Sequence, residues 1–233
     1  MDPHKLRDLA LFIVPLLLSL SFHEMCHAWA AHKLGDDTGR LMGRLTLNPL
    51  AHIDIVGTII FPVLCIMLGG VFFGWAKPVP VNALNLRGDR RMSMLWVSLM
   101  GPLSNFLLAF TCTLLLGVCI TSMTHEAGSA GQFLGMMLSR AIYLNLILCF
   151  FNLLPIPPLD GAAVLQGIVP RDVANMIDRI APYGFMILLF FLYTGFIGII
   201  SKPIYICLNW FLYAGSTFFD VNMIYYFQRF FHG

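Results

Sequence analysis

The chain has 233 residues, of which 58% are hydrophobic and only 11% charged, and its mean hydropathy is +0.80. Soluble domains carry about 25% charged residues, so this composition points to a membrane protein. A formal net charge of +2, with no basic patch interleaved with aromatics, argues against nucleic acid as a partner and leaves membrane lipid and apolar proteins.

A membrane span needs about 20 mainly apolar residues. In chain order, residues 8–31, 93–122, 139–169, 182–200 and 203–219 qualify. The first follows Lys5 and Arg7, and its Ala28-Trp29-Ala30 resembles a signal-peptide cleavage signature. A cleavage region does not normally carry histidine, glutamate and histidine, so an uncleaved span is predicted. A sixth stretch, residues 55–73, is long enough to cross but is weakened as a straight helix by Gly57, Pro62, Gly69 and Gly70. In residues 74–91, Pro78 and Pro80 alternate with valines, which reads as strand or loop. The third span is broken by Pro155, Pro157 and Pro158. With no repeat and no low-complexity tail, residues 1–233 are predicted to form a single integral membrane domain. It should be an all-α polytopic protein: about five transmembrane helices, a re-entrant or sixth hydrophobic segment, and a short membrane-associated extended segment.

The six cysteines fall in or beside apolar runs without a Cys-x-x-Cys pair, so apolar packing is the expectation. Cys26, between Glu24 and His27, is the exception to consider as a metal ligand, although it lies on a different helix face from the two histidines.

Of twelve acidic residues, only Glu24 and Asp160 lie within apolar stretches. Ionisable groups at membrane depth are costly and tend to pair, coordinate or line a polar pathway. His23 and His27 are four apart and project from one helix face, with Glu24 rotated about 100° from His23. This is the H-E-x-x-H pattern, in which two imidazoles bind zinc and the glutamate works on the bound water. Structural histidines bonded to neighbouring helices are the bland alternative, but in lipid the three groups would need several polar partners. A catalytic zinc takes three protein ligands. His4, His32, His52 and His125 lie nearer segment ends, where solvated or capping roles are the default, which leaves Asp160 as the remaining deep donor. Asp160 also follows the proline break, and irregular backbone at membrane depth is tolerated where it faces protein or a water-filled cavity. Asn152 at the same break either satisfies a freed carbonyl or donates to a developing oxyanion.

His23 to His27, taken with Asn152, Pro155, Pro158, Asp160 and Gly161, resemble the site-2 protease family of intramembrane zinc metalloproteases. GDDTGRLMGRLTLNPLAHIDIVGTIIFP (35–62), GWAKPVPVN (74–82) and GPLSNFLLA (101–109) are similar to its compact bacterial branch, which lacks a soluble insert. The resemblance covers about residues 8–170. It implies an enzyme that cuts transmembrane-helix protein substrates, with one Zn2+ on His23, His27 and Asp160, Glu24 as base and Asn152 near the oxyanion. The catalytic core would be about 8–170 and a C-terminal helical hairpin about 182–219. Two departures are Met25-Cys26 inside the helix motif and Ala162 where a second glycine often follows; neither removes a ligand.

If residues 55–73 cross the bilayer, the spans at 8–31 and 139–169 run antiparallel; if they re-enter, the two run parallel. His27 and Asp160 both lie toward the C-terminal part of their spans, so parallel helices suit the metal site. Re-entry also puts Lys33, Arg40, Arg44, Lys77, Arg87, Arg90, Arg91, Arg171, Arg179 and Arg229 on one side, against Lys5, Arg7 and Lys202 with Arg140 at a boundary. That bias predicts a multi-pass cell-membrane protein with its N-terminus outside and its C-terminus and active site toward the cytoplasm. The substrate must unwind to expose a peptide bond, and residues 74–91 either pair with it as an added strand or lie as a loop on the headgroups. The rival reading is a metal-ion or proton-coupled transporter using the His/Asp cluster as an ion site, but that predicts polar residues spread along several spans. A non-catalytic scaffold would give no reason for Glu24 beside the ligands. Neither Gly-x-Ser-x-Gly nor a pair of intramembrane aspartates is present.

Overall fold

The computed structural model describes residues 3–61, 64, 67, 74–122 and 129–232. Helix α1 (Pro3–Lys33) is 31 residues with Leu the commonest, long enough to span a bilayer at 1.5 Å per residue. It stops where His32 and Lys33 meet its C-terminal dipole and Gly35 takes a φ of 108°. A single turn α2 (Thr38–Leu41), a 3₁₀ turn (Pro49–His52) and a π-helical turn (Ile55–Ile60) follow. Asn48 and Asp54 cap the last two by accepting the backbone N–H groups of Leu50 and Gly57.

Apart from Phe61, Leu64 and Met67, the sixth apolar stretch beyond Ile60 lies outside the described residues, but its two flanks meet. Trp75 N–H donates to the Gly57 carbonyl at 3.1 Å, the Thr58 hydroxyl donates to the Trp75 carbonyl at 2.9 Å, and Lys77 N–H donates to the His52 carbonyl at 2.8 Å. Residues 74–82 then run without helix, as the alternating prolines predict, and among the described residues no β-strand forms.

Helices α3 (Arg90–Ser122) and α4 (Ser129–Asn152) pack along α1. α3 runs against α1: His27 meets Val97 and His23 meets Asn105. α4 runs against α3, with Asn145 on Asn105 and Gly131 beside Cys119. α1 and α4 are therefore parallel, the arrangement that suits the metal site. The expected span at 139–169 is in fact two elements: α4 ends at Asn152, residues 153–159 are irregular, and α5 (Asp160–Ile168) starts a new helix. The prolines explain the break, since Pro155, Pro157 and Pro158 have no N–H to donate.

The C-terminal part is more finely segmented than two spans. An amphipathic α6 (Arg171–Ile180) leads through a 3₁₀ turn (Ala181–Tyr183) into α7 (Gly184–Tyr193), which stops at Gly195 with a φ of 73° and a second 3₁₀ turn (Phe196–Ile200). Residues 182–200 are thus apolar but not one helix. α8 (Ser201–Phe219) contains the last predicted span and α9 (Met223–His232) follows. Among the described residues four helical stretches are long and apolar enough to cross a membrane: Ala10–Lys33, Arg90–Ser122, Ala130–Asn152 and Arg171–Tyr193. α8 lies in the core nonetheless, with Phe211 fully buried against Phe106 and Phe110 and Phe219 packed over Gly117. This register runs α8 parallel to α3. Its C-terminal end and α9 therefore share the end of the bundle that holds the α3–α4 connection and the start of α1, whereas the charge bias in the sequence predicts the two termini at opposite ends.

Candidate metal centre

His23 and His27 stand one turn apart on the buried face of α1, 5% and 8% exposed. Asp160 is the first residue of α5, and α5 is laid across the first half of α3 by Gly167 packing on Leu95 and by Arg91, which donates to the carbonyls of Gln166 and Val169. That cation at the C-terminal end of a short helix satisfies carbonyls the helix leaves open. At the other end, Gly161 sits so close to the irregular segment that a Cβ there would be 2.3 Å from the Leu153 carbonyl oxygen.

The result brings three donors together. His23 Nε2 and His27 Nε2 are 3.0 Å apart, and Asp160 Oδ2 is 3.2 Å from the first and 3.3 Å from the second. Each imidazole has its other nitrogen against an acceptor: His23 Nδ1 donates to Asn105 Oδ1 at 2.6 Å and His27 Nδ1 to the Val97 carbonyl at 2.8 Å. With Nδ1 so engaged, Nε2 is the atom each ring has left to meet the carboxylate, and in the neutral imidazole it carries the lone pair that a shared cation would take. Ligands about 2.1 Å from a tetrahedral zinc lie roughly 3.3 Å from one another, so the donor set and its spacing fit that ion. Among the described residues, His23, His27 and Asp160 form the group that could hold a metal. Gly101 makes the space, because a Cβ there would lie 2.3 Å from His27 Nε2 and 2.7 Å from His23 Cε1.

The donors open onto a cavity of about 700 Å³, walled by Glu24, Trp75, Val79, Met94, Asn152 and Leu188 among others. Glu24 shares that wall and accepts a hydrogen bond from Val79 N–H at 3.1 Å. Asn152 also lines it, and its Nδ2 donates to the Leu148 carbonyl one turn back at 2.9 Å, which leaves a second amide hydrogen. Cys26 is buried but stands outside the donor group. His32 pairs with Asp37 at 2.5 Å and His52 bonds the Thr46 carbonyl, roles that suit segment ends.

Three contributors were not singled out from the sequence: Asn105, Asn145 and Gly101. The amides were legible in principle, since the cost that flags an acid in an apolar span also flags an amide. Beside the site, Asp36 is fully buried, which pushes its carboxyl up, but it accepts from Thr38, Asn85 and the backbone N–H groups of Asn82 and Thr38, and the balance holds it below its ordinary value.

A family model described as peptidase family M50 matches residues 11–128 and 116–193. YwhC, a proposed zinc metalloprotease of Bacillus subtilis (strain 168), is 40% identical over 177 residues, 76% of this chain and 77% of its own. Rip2, a proposed zinc metalloprotease of Mycolicibacterium smegmatis, is 33% identical over 219 residues, 91% of this chain and 74% of its own. No solved structure matches. On the extent of these matches, and with the two-histidine, one-aspartate centre in place, the chain belongs to peptidase family M50, the site-2 protease family of zinc metalloproteases.

Proposed function

We propose that the chain hydrolyses peptide bonds of transmembrane protein substrates, with His23, His27 and Asp160 holding one zinc ion. The carrying observation is the convergence of His23 Nε2, His27 Nε2 and Asp160 Oδ2 beside Glu24 on the wall of one cavity. Zinc, when bound, supplies Lewis acidity: it polarises the scissile carbonyl and acidifies a water. Glu24 takes the proton from the attacking water and passes it to the leaving amide nitrogen. Asn152, from the same wall, offers its second amide hydrogen to the developing oxyanion. A glutamate poised beside the donors has a role in hydrolysis that ion transport does not require.

The cavity's other wall is the extended segment 74–82, with Trp75, Pro78, Val79 and Val81 facing it. A locally unwound substrate laid along this wall as an added strand would present its carbonyl between Glu24 and Asn152.

The contacts flanking the sixth stretch support an orientation. Thr58 and Trp75, 17 residues apart, are hydrogen-bonded, whereas the two ends of a crossing lie on opposite faces and each crossing takes about 20 residues. This supports re-entry. The site end then carries Lys33, Arg40, Arg44, Lys77, Arg87, Arg90, Arg91, Arg171 and Arg179, against Lys5, Arg7 and Arg229 at the far end, so the site faces the cytoplasm and both termini lie outside.

Zinc analysis of purified protein alongside Glu24→Gln tests the reading. Retained zinc with lost cleavage of a reconstituted transmembrane substrate is expected; a Glu24→Gln protein that still cleaves would overturn it.

A further inference from the structure

The polar residues buried between α1, α3 and α4 form a closed chain that ends on one metal donor. Asn105 and Asn145 are completely buried and Ser19 nearly so. Asn145 Nδ2 donates to Ser19 Oγ and to the Ala141 carbonyl, both at 2.8 Å. Asn145 Oδ1 accepts from Asn105 Nδ2 at 2.8 Å, and the same Asn105 amide reaches the Ser19 carbonyl at 3.3 Å. Both hydrogens of the Asn105 amide are thereby engaged, which fixes which end of that side chain faces His23: it must be the oxygen, at 2.6 Å from Nδ1.

A burial this complete, in a chain whose helices would otherwise meet through apolar side chains, is costly unless every atom is partnered. Here the partners come from three helices, and the chain has a direction. Asn145 holds Asn105, Asn105 Oδ1 accepts the hydrogen bond of His23 Nδ1–H, and the Nε2 lone pair of the neutral ring is left for the ion. His27 differs, since its Nδ1 rests on the Val97 carbonyl, an acceptor supplied by the backbone.

We propose that Asn105 is the positioning residue of the metal centre: it selects the His23 tautomer and aims its Nε2, and Asn145 acts only by setting the orientation of Asn105. The proposal rests on the reading of His23, His27 and Asp160 as zinc ligands. Partners of this kind are typically worth 10- to 100-fold in metal affinity.

The test measures zinc affinity of the purified full chain by competition with a chromophoric chelator, together with the visible spectrum of the Co2+ form and the thermal midpoint of the metal-free form. Asn105→Leu is expected to lower zinc affinity 10- to 100-fold and to alter the Co2+ bands. Asn105→Asp keeps an acceptor for Nδ1 but sets a carboxylate oxygen against Asn145 Oδ1 and the Ser19 carbonyl, so it should lower the metal-free midpoint while retaining zinc affinity within a few-fold and restoring the bands. Asn145→Leu should lower the metal-free midpoint as much as Asn105→Leu while costing less zinc affinity. Asn105→Ser gives the same reading if leucine is not accommodated. Equal losses of affinity for Asn105→Leu and Asn145→Leu, in step with their metal-free midpoints, would reduce Asn105 to a packing residue and overturn the proposal. His23→Ala is the separate control: full zinc binding in that variant would overturn the ligand assignment itself, whatever Asn105 does.

Discussion

The carboxylate of Glu24 accepts a hydrogen bond from the backbone N–H of Val79 at 3.1 Å, 55 residues further along the chain. The residue proposed as the base is thus tied to the segment proposed to receive the substrate. Pro78 and Pro80 have no N–H, so Val79 is the donor available to Glu24 in that three-residue stretch. The segment is held on either side by Lys77 N–H on the His52 carbonyl and by Asn82 N–H on Asp36.

Val79→Pro deletes the donor and Val79→Ala keeps it. A hydrogen bond to a charged group is worth about 1.5–3 kcal/mol, so Val79→Pro should cut cleavage by at least about tenfold relative to Val79→Ala with zinc content unchanged. Equal activity of the two variants would show that Glu24 does not depend on this contact. Val81→Pro leaves the Glu24 contact in place, so a loss of cleavage there isolates strand pairing with the substrate.

Gly101→Ala adds a methyl group within 2.3 Å of His27 Nε2. Overpacking of this kind costs about 1–3 kcal/mol, and here it falls directly on the ligands. Zinc affinity in chelator competition should drop by roughly tenfold or more. Full zinc occupancy in the Gly101→Ala protein would mean that the imidazoles have room the packing does not show.

Asp36 ties the turn after α1 to residues 82–85. Asp36→Asn removes a charged acceptor and should cost about 1–3 kcal/mol at neutral pH. Because the folded carboxyl is held below its ordinary value, its contribution is full above the unfolded value, near pH 4, and fades as pH falls through the folded value. Thermal midpoints of wild type and Asp36→Asn should therefore differ at pH 7 and converge below about pH 4. A constant difference across that range would show that the charge is not what matters.

Reporter fusions at either end of the chain should both give extracytoplasmic signals, and one inserted at the exposed Gly88 turn should give a cytoplasmic one. A cytoplasmic C-terminal reporter would contradict the parallel register of α3 and α8.

What the sequence made legible was local. The His23-Glu24-x-x-His27 spacing, the proline break before Asp160 and the irregular segment at Pro78 and Pro80 each follow from rules that act within a few residues. The course of the C-terminal third was not legible, because its outcome depends on contacts between distant segments. Residues 182–200 have the composition of a span, yet Gly195 at positive φ ends the helix, and α8 takes its direction from Phe211 and Phe219 packing on α3. Asn105 and Asn145 were missed for a related reason: an amide inside an apolar run signals that a partner exists, but only the packing says which.

The break at residues 153–159 places Asn152 and Asp160 on different helices whose ends remain in contact. Asp160 belongs to a short helix fastened by Arg91 at one end and wedged by Gly161 against the Leu153 carbonyl at the other, and Asn152, the last residue of α4, bonds back to the Leu148 carbonyl. α4 reaches both sides of the donor set, through Asn145 and Asn105 to His23 and through the Leu153 carbonyl to Gly161 beside Asp160. The seven-residue irregular link therefore changes the direction of the chain within the site while the end of α4 and the start of α5 stay pressed together, so Asn152 and the metal donors share one support.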